Sequence, residues 1–182
     1  MVYICLADGF EEIEALAPLD LLRRAGVEVY TVGIGTQTVT GAHGVQICAD
    51  LTEEQIVFSS ALEMLILPGG GDGTEHLNAS KTVQELIDYA MERGIYIAAI
   101  CAAPTILGRR GLLAGRCAVC YPGMEKLLLD ANVSDRPVMV DDTIITARGV
   151  GVALQFALEL VHLLCGEDVA RQLRQSTLLG TK

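Results

Sequence analysis

The chain alternates short apolar runs with longer stretches in which apolar residues recur every three or four positions. Val2 to Ala7, Val27 to Gly33, Met64 to Leu67 and Ile95 to Ile100 are rich in β-branched and aliphatic residues, the pattern of strands buried on both faces. Glu11 to Ala25, Thr82 to Arg93, Val152 to Cys165 and Glu167 to Arg174 carry helical periodicity, and a further helix is expected from Ala102. A strand pair, Val138 to Val140 and Thr143 to Ala147, precedes the last two helices. Strands and helices that take turns predict an α/β fold with a doubly wound, mostly parallel sheet sandwiched by helices. Thr36 to Asp50 breaks the rhythm: Gly41, His43 and Gly44, followed by alternating Val45 and Ile47, predict a small β-hairpin excursion. No repeat, low-complexity tract or linker divides the sequence, so residues 1–182 read as one domain.

Composition adds a partner and removes several function classes. At 182 residues, 51% of them hydrophobic, the chain can bury a full core without disulfides or metal. That apolar fraction with only 4% aromatics points to a surface covered by a second copy, a homodimer. The longest apolar stretch, Ile95 to Leu107, is broken by Cys101, Pro104 and Thr105 and is too short to span a bilayer, so no membrane segment is expected. The start, Met1 to Asp8, has no basic leader, and a cytoplasmic location is the expectation. Thirteen basic against 23 acidic residues give a net charge of −10 without a basic stripe, which argues against nucleic acid as a partner. The six cysteines (5, 48, 101, 117, 120 and 165) then read as free thiols of a reducing compartment. Cys117 and Cys120 have C-x-x-C spacing, but in an apparent strand, Cys117 to Tyr121, they would point to opposite faces, and no metal site is expected.

In an open parallel sheet, ligands bind beyond the carboxyl ends of the strands. Three such ends carry candidate chemistry. Cys101 ends the run Ile95 to Ile100 and precedes Ala102-Ala103-Pro104, with small Ala99 and Ala103 two positions either side, as a nucleophile elbow requires. The start of the following helix would lower the thiol pKa toward a reactive thiolate, although a buried core cysteine is the simpler alternative. After Leu67 comes Pro68-Gly69-Gly70-Gly71-Asp72-Gly73, which lacks the ending of a phosphate-binding loop. The N–H groups of Gly70 and Ala102 could instead form an oxyanion hole beside Cys101. After the first strand come Glu11, Glu12 and Glu14. The first two complement a helix dipole; Glu14, flanked by Ile13 and Ala15, lies near the apolar side, where burial would raise its pKa and suit it to proton transfer. No histidine is adjacent to the cysteine. His43 lies in the hairpin and His162 in a late helix, which leaves His76 as the one local candidate and disfavours a protease.

Together, Glu11-Glu12-Ile13-Glu14-Ala15, Asp20-Leu21-Leu22-Arg23-Arg24-Ala25-Gly26, Leu67-Pro68-Gly69-Gly70, Ala98 to Pro104 and Thr146-Ala147-Arg148-Gly149 closely resemble the DJ-one family of the ThiJ/PfpI superfamily, nearly end to end. The resemblance implies a flavodoxin-like, homodimeric sandwich in which the Cys101 thiol is hydrogen-bonded to a protonated Glu14, with main-chain donors at Gly70 and Ala102. It also implies action on glyoxals or glycated adducts without a cofactor, or alternatively an oxidative-stress sensor or redox-regulated chaperone in which the cysteine becomes a sulfinate. Two departures stand out. Tyr121-Pro122 replaces a His-Pro pair of some members, which leaves a Cys-His-Asp relay built on Asp20 without its histidine. His43 stands where some relatives carry an arginine that reaches the partner subunit, so Arg24 and Arg148 remain as candidates for an anion pocket. The expected activity is thiolate attack on a small reactive carbonyl compound, a 2-oxoaldehyde, with Glu14 moving a proton to yield a 2-hydroxy acid.

Overall fold

The computed structural model describes residues 1–180. In chain order its strands are β1 (Val2–Leu6), β2 (Val29–Gly33), β3 (Thr38–Thr40), β4 (Gln46–Cys48), β5 (Leu51–Thr52), β6 (Met64–Leu67), β7 (Tyr96–Ile100), β8 (Cys117–Ala118), β9 (Asn132–Val133), β10 (Val138–Asp141) and β11 (Ile144–Ala147). The helices are α1 (Glu12–Arg24), α2 (Gly71–Ala79), α3 (Lys81–Arg93), α4 (Pro104–Arg109), α5 (Ala153–Cys165) and α6 (Glu167–Ser176).

Seven strands form the central sheet in the order β10-β11-β7-β6-β1-β2-β5, parallel except at the antiparallel β10–β11 pair. The pleat divides its side chains between two cores. Val2, Ile4 and Leu6 of β1 pack with Ile66, Ile100 and Ile145 on the side of α1 and α5. Tyr3, Cys5, Leu67 and Ala99 face the opposite layer, which holds Leu86 and Ile87 of α3 and Ile106 of α4. Both faces are covered, and that is why β1, β6 and most of β7 are apolar throughout. The order of winding reverses between the parallel strands β1 and β6: the chain first builds outward to β2 and β5, then returns to β6 on the other side of β1. A doubly wound sheet opens its ligand crevice at this switch point, beyond the carboxyl ends of β1, β6 and β7.

The structure corrects several expected boundaries. Helix α4 begins at Pro104 rather than Ala102 and is six residues long, because residues 101–103 form the turn. The segment after the glycine run is helical from Gly71, although Gly71 and Gly73 are weak helix formers. The apparent strand Cys117 to Tyr121 pairs only over Cys117–Ala118. The hairpin is present, with β3 antiparallel to β4 and Val39 opposite Ile47.

Candidate active site

The end of β7 delivers Cys101 into a strained turn. Its φ is +65°, a left-handed conformation that costs an L residue about 1–2 kcal/mol. Neighbours on both sides hold it there. The Cys101 N–H donates to the Ala147 carbonyl at 2.8 Å, and the Cys101 carbonyl accepts from the Tyr121 N–H at 2.7 Å. Ala99, Ala102 and Ala103 around the turn are buried, leaving no volume for longer side chains.

Two further strand ends complete the site. Glu14, in the first turn of α1, is fully buried, and its Oε2 accepts a 3.0 Å hydrogen bond from the Gly69 N–H. Its Oε1 is also buried and has no conventional hydrogen-bond partner. Gly69 separates the two functional groups: a Cβ there would lie 2.6 Å from Glu14 Oε2 and 2.7 Å from the Cys101 Cβ. Gly70, at φ +93°, abuts the Gly9 carbonyl so closely that any side chain would overlap it. The Gly70 N–H, with that of Ala102, acts on the Cys101 sulfur. Gly149 closes the site from the end of β11; at φ +155° it turns its bare Cα to Tyr121, Cys101 and Glu14, and a Cβ there would sit 3.8 Å from the sulfur.

Burial opposes the acidifying effect expected of the helix start at the thiol. Burial raises the Glu14 carboxyl from 4.5 to about 7, and neighbouring Glu11 adds to the shift; the Cys101 side chain and the Gly69 N–H pull the other way. Burial and the charge of Glu14 push the Cys101 thiol up to about 12, against the lowering effect of the Ala102 and Gly70 N–H groups. Six-residue α4 starts three residues past the cysteine and does not overcome desolvation. Between about 7 and 12 the pair therefore carries one proton and one negative charge. When that proton sits on Glu14, the sulfur is a thiolate held by two main-chain donors.

A cleft of about 630 Å³ opens onto the pair, lined by Cys101, Glu14, Glu11, Glu12 and His43 with apolar Ile13, Val45, Tyr121 and Val150. The sequence placed Glu12 on the helix dipole and His43 in the hairpin but not together, because the hairpin and α1 meet only in three dimensions. Glu12 Oε1 accepts from the N–H groups of His43 at 2.8 Å and Val45 at 3.4 Å, while Oε2 lies 2.9 Å from His43 Nδ1. Glu12 thus fastens the hairpin over the site, rather than merely complementing the helix dipole. Gly41 and Gly69 are the sequence signals that could have pointed there, since each accommodates a buried carboxyl. Glu11, Glu12 and His43 are also the one metal-ligating cluster among the described residues, with ligand atoms within 4.8 Å of one another. The hairpin contacts account for that proximity.

Other sequence candidates lie elsewhere. Asp20 and Arg24 pair with each other at 2.7 Å on the exposed end of α1. His76 Nδ1 is 2.7 Å from the Asp8 carbonyl, in a separate cleft shared with Thr36, Glu53 and Lys81. The Arg148 side chain turns away from Cys101 to the Asp135 carbonyl, at 3.3 Å, and lines a groove with Cys117 and Arg136. The structure thus brings together Cys101, Glu14, Gly70 and Ala102, and leaves Asp20, Arg24, His76 and Arg148 outside the cleft.

Comparison with known proteins shows the family to which this fold belongs. The model of the DJ-1/PfpI family matches residues 1–163. Protein dj-1beta of Drosophila melanogaster is 35% identical over 180 residues, covering 97% of this chain and 96% of its own. A glutathione-independent glyoxalase, DJR-1.2 of Caenorhabditis elegans, is 32% identical over 164 residues, with 90% and 87% covered. The solved structure of oxidized Toxoplasma gondii DJ-1 superposes with a TM-score of 0.93 at 32% identity, covering 98% of each chain. With a family model matched over most of its length and relatives aligned almost end to end, the chain belongs to the DJ-1/PfpI family.

Proposed function

We propose that this protein converts small 2-oxoaldehydes, or their adducts, to 2-hydroxy acids without a cofactor. The observation that carries the reading is that Cys101 and buried Glu14 meet across Gly69 in one cleft. The thiolate adds to the aldehyde carbon; an S–C bond forms and the carbonyl oxygen takes up a proton, giving a hemithioacetal. Glu14 removes the hydrogen from that carbon as a proton and returns it to the adjacent ketone carbon, so that a ketone and a hemithioacetal become an alcohol and a thioester. Water then cleaves the thioester, restoring the thiol. The net change is addition of one water to the 2-oxoaldehyde. A glyoxalase-named relative at 32% identity supports the class of reaction.

A second reading, an oxidation sensor or redox-regulated chaperone, draws support from the two N–H groups that act on the sulfur itself. With hydrogen peroxide as oxidant, the thiolate would displace water to give a sulfenate, and a second peroxide would give a sulfinate held by the same donors and by Glu14. Product analysis separates the two. Lactate released from methylglyoxal over many turnovers, and lost in Cys101→Ser, supports the enzyme; stoichiometric oxidation with no lactate supports the sensor.

We also propose a homodimer, in a reducing compartment such as the cytoplasm. Exposed Ile13, Leu16, Val45, Val150 and Leu154 form apolar surface on α1, the hairpin and the start of α5, and all six cysteines are free thiols. Among the described residues no helix is long and apolar enough to cross a membrane. Sedimentation at micromolar concentration tests the dimer, which a monomeric mass would exclude.

A further inference from the structure

The left-handed turn at Cys101 is clamped at both ends, and one buried hydroxyl joins the two clamps. The Cys101 N–H donates to Ala147 on β11, and the Cys101 carbonyl accepts from Tyr121 at the end of a strap, residues 117–121. The strap packs against β10 and β11. Its N–H groups at alternate positions reach three acceptors: Cys117 donates to Asp141 Oδ2 at 2.7 Å, Val119 to Thr146 Oγ1 at 3.0 Å and Tyr121 to the Cys101 carbonyl at 2.7 Å. Alternate donors along one edge are what a strand presents to its neighbour, but here the first two acceptors are side chains where a ladder would supply carbonyls. The two differ in burial. Asp141 is part-exposed and also meets Arg116 at 3.5 Å, whereas Thr146 and Val119 are each only 1% exposed. Water therefore cannot replace the Thr146 hydroxyl, and an unpartnered Val119 N–H at that depth would be costly.

We propose that Thr146 is a positioning residue for the Cys101 thiol: its main chain leads into Ala147, which holds the Cys101 N–H, while its hydroxyl holds the strap that brings the Tyr121 N–H to the Cys101 carbonyl. Thr146 does not line the cleft; it acts through the backbone of the turn. Both ends of the Val119–Thr146 hydrogen bond are buried within one chain, so a second copy packed on α1, the hairpin and the start of α5 leaves it unchanged. A loosened strap lets the strained turn relax from its φ of +65°, and the sulfur then leaves its place across Gly69 from Glu14. Misplacement by about 1 Å costs a positioned group on the order of 10²-fold in rate. The consequence for turnover rests on the activity proposed above, whereas the hold on the thiol rests on the hydrogen bonds alone.

The decisive pair of variants is Thr146→Val and Thr146→Ser. Valine has nearly the shape of threonine and suits a strand but offers no acceptor; serine keeps the oxygen. Thr146→Val should slow both alkylation of Cys101 by iodoacetamide at neutral pH and lactate formation from methylglyoxal by about 10–100-fold. It should also raise the pH midpoint of alkylation above the wild-type value of about 7, because a displaced thiol no longer shares a proton with Glu14. Thr146→Ser should restore rate and midpoint to those of the wild type. Leu86→Ala, a cavity in the opposite layer, controls for stability alone: it should lower the urea midpoint and leave the alkylation midpoint in place. Where Thr146→Val does not fold, Asp141→Ala removes the neighbouring clasp at a part-exposed position and should move rate and midpoint in the same direction. An unchanged alkylation rate and midpoint in folded Thr146→Val, or failing that in Asp141→Ala, overturns the proposal, as does an equally large shift in Thr146→Ser or Leu86→Ala. If the wild type forms no lactate while the alkylation midpoint moves in Thr146→Val and returns in Thr146→Ser, the proposed activity fails and the positioning role stands.

Discussion

The Gly69 N–H donates a 3.0 Å hydrogen bond to Glu14 Oε2. The same residue has its bare Cα against Cys101, since a Cβ on it would lie 2.7 Å from the Cys101 Cβ. The acid and the thiol can therefore act on one another only because the residue between them has no side chain. Gly69→Ala should cost about 1–3 kcal/mol of stability and slow alkylation of Cys101 at least about tenfold as the pair is forced apart. Gly71→Ala is the control: nothing lies within 4 Å of a Cβ there, and the change should be neutral or stabilising by about 0.5–1 kcal/mol. Urea denaturation and iodoacetamide rates on both variants check the contrast.

The pH dependence of Cys101 reactivity follows from the shared proton. The first proton leaves the pair near 7, which sets free the tautomer with a thiolate. The iodoacetamide rate should rise with pH through a midpoint of about 7. In Glu14→Gln the thiol titrates alone and burial still opposes its ionisation, so the midpoint moves upward from about 7. A variant midpoint at or below that of the wild type would contradict the pairing.

Glu14 also links stability to pH. Its carboxyl is raised by folding from 4.5 to about 7, so its contribution is complete below 4.5 and is lost as pH rises through about 7. His43, raised by its contacts with Glu12 and Glu11, acts in the same direction, and only a difference between variants isolates Glu14. Relative to wild type, Glu14→Gln should gain stability between pH 5 and 8, by up to about 3 kcal/mol. Urea midpoints at the two pH values check this, and a difference independent of pH would contradict the burial of an ionisable acid.

The left-handed turn at Cys101 stores strain that a glycine would not. Cys101→Gly should therefore be more stable than Cys101→Ala by about 1 kcal/mol, although both lose the thiol. Equal stability of the two would show that the turn is unstrained.

Much of this site was legible because the relevant signals are local. The run into Cys101, the alanines around it and the glycines after Leu67 each report the backbone that they require, and strand–helix alternation placed their ends on one edge of the sheet. The burial of Glu14 was legible from its place on the apolar side of a helix that follows the first strand. What escaped depends on distance along the chain. His43 meets Glu12 from a hairpin 31 residues away, a contact that no periodicity encodes. His76 is close to the glycine run in sequence, yet its ring turns toward the Asp8 carbonyl. The two-residue strands β5, β8 and β9 are too short to carry a pattern. A helix start beside the thiol is visible in sequence, whereas the depth of burial that opposes its effect is not.

The most direct test of the account is methylglyoxal turnover in Glu14→Gln, with lactate quantified by NMR beside wild type and Cys101→Ser. Glutamine keeps an acceptor for the Gly69 N–H but cannot carry a proton, so lactate formation should fall by about 10²–10⁴-fold, while Cys101→Ser abolishes it. Full turnover in Glu14→Gln, with Cys101→Ser inactive, would mean that Glu14 is not the proton carrier, and the central pairing of this account would be wrong.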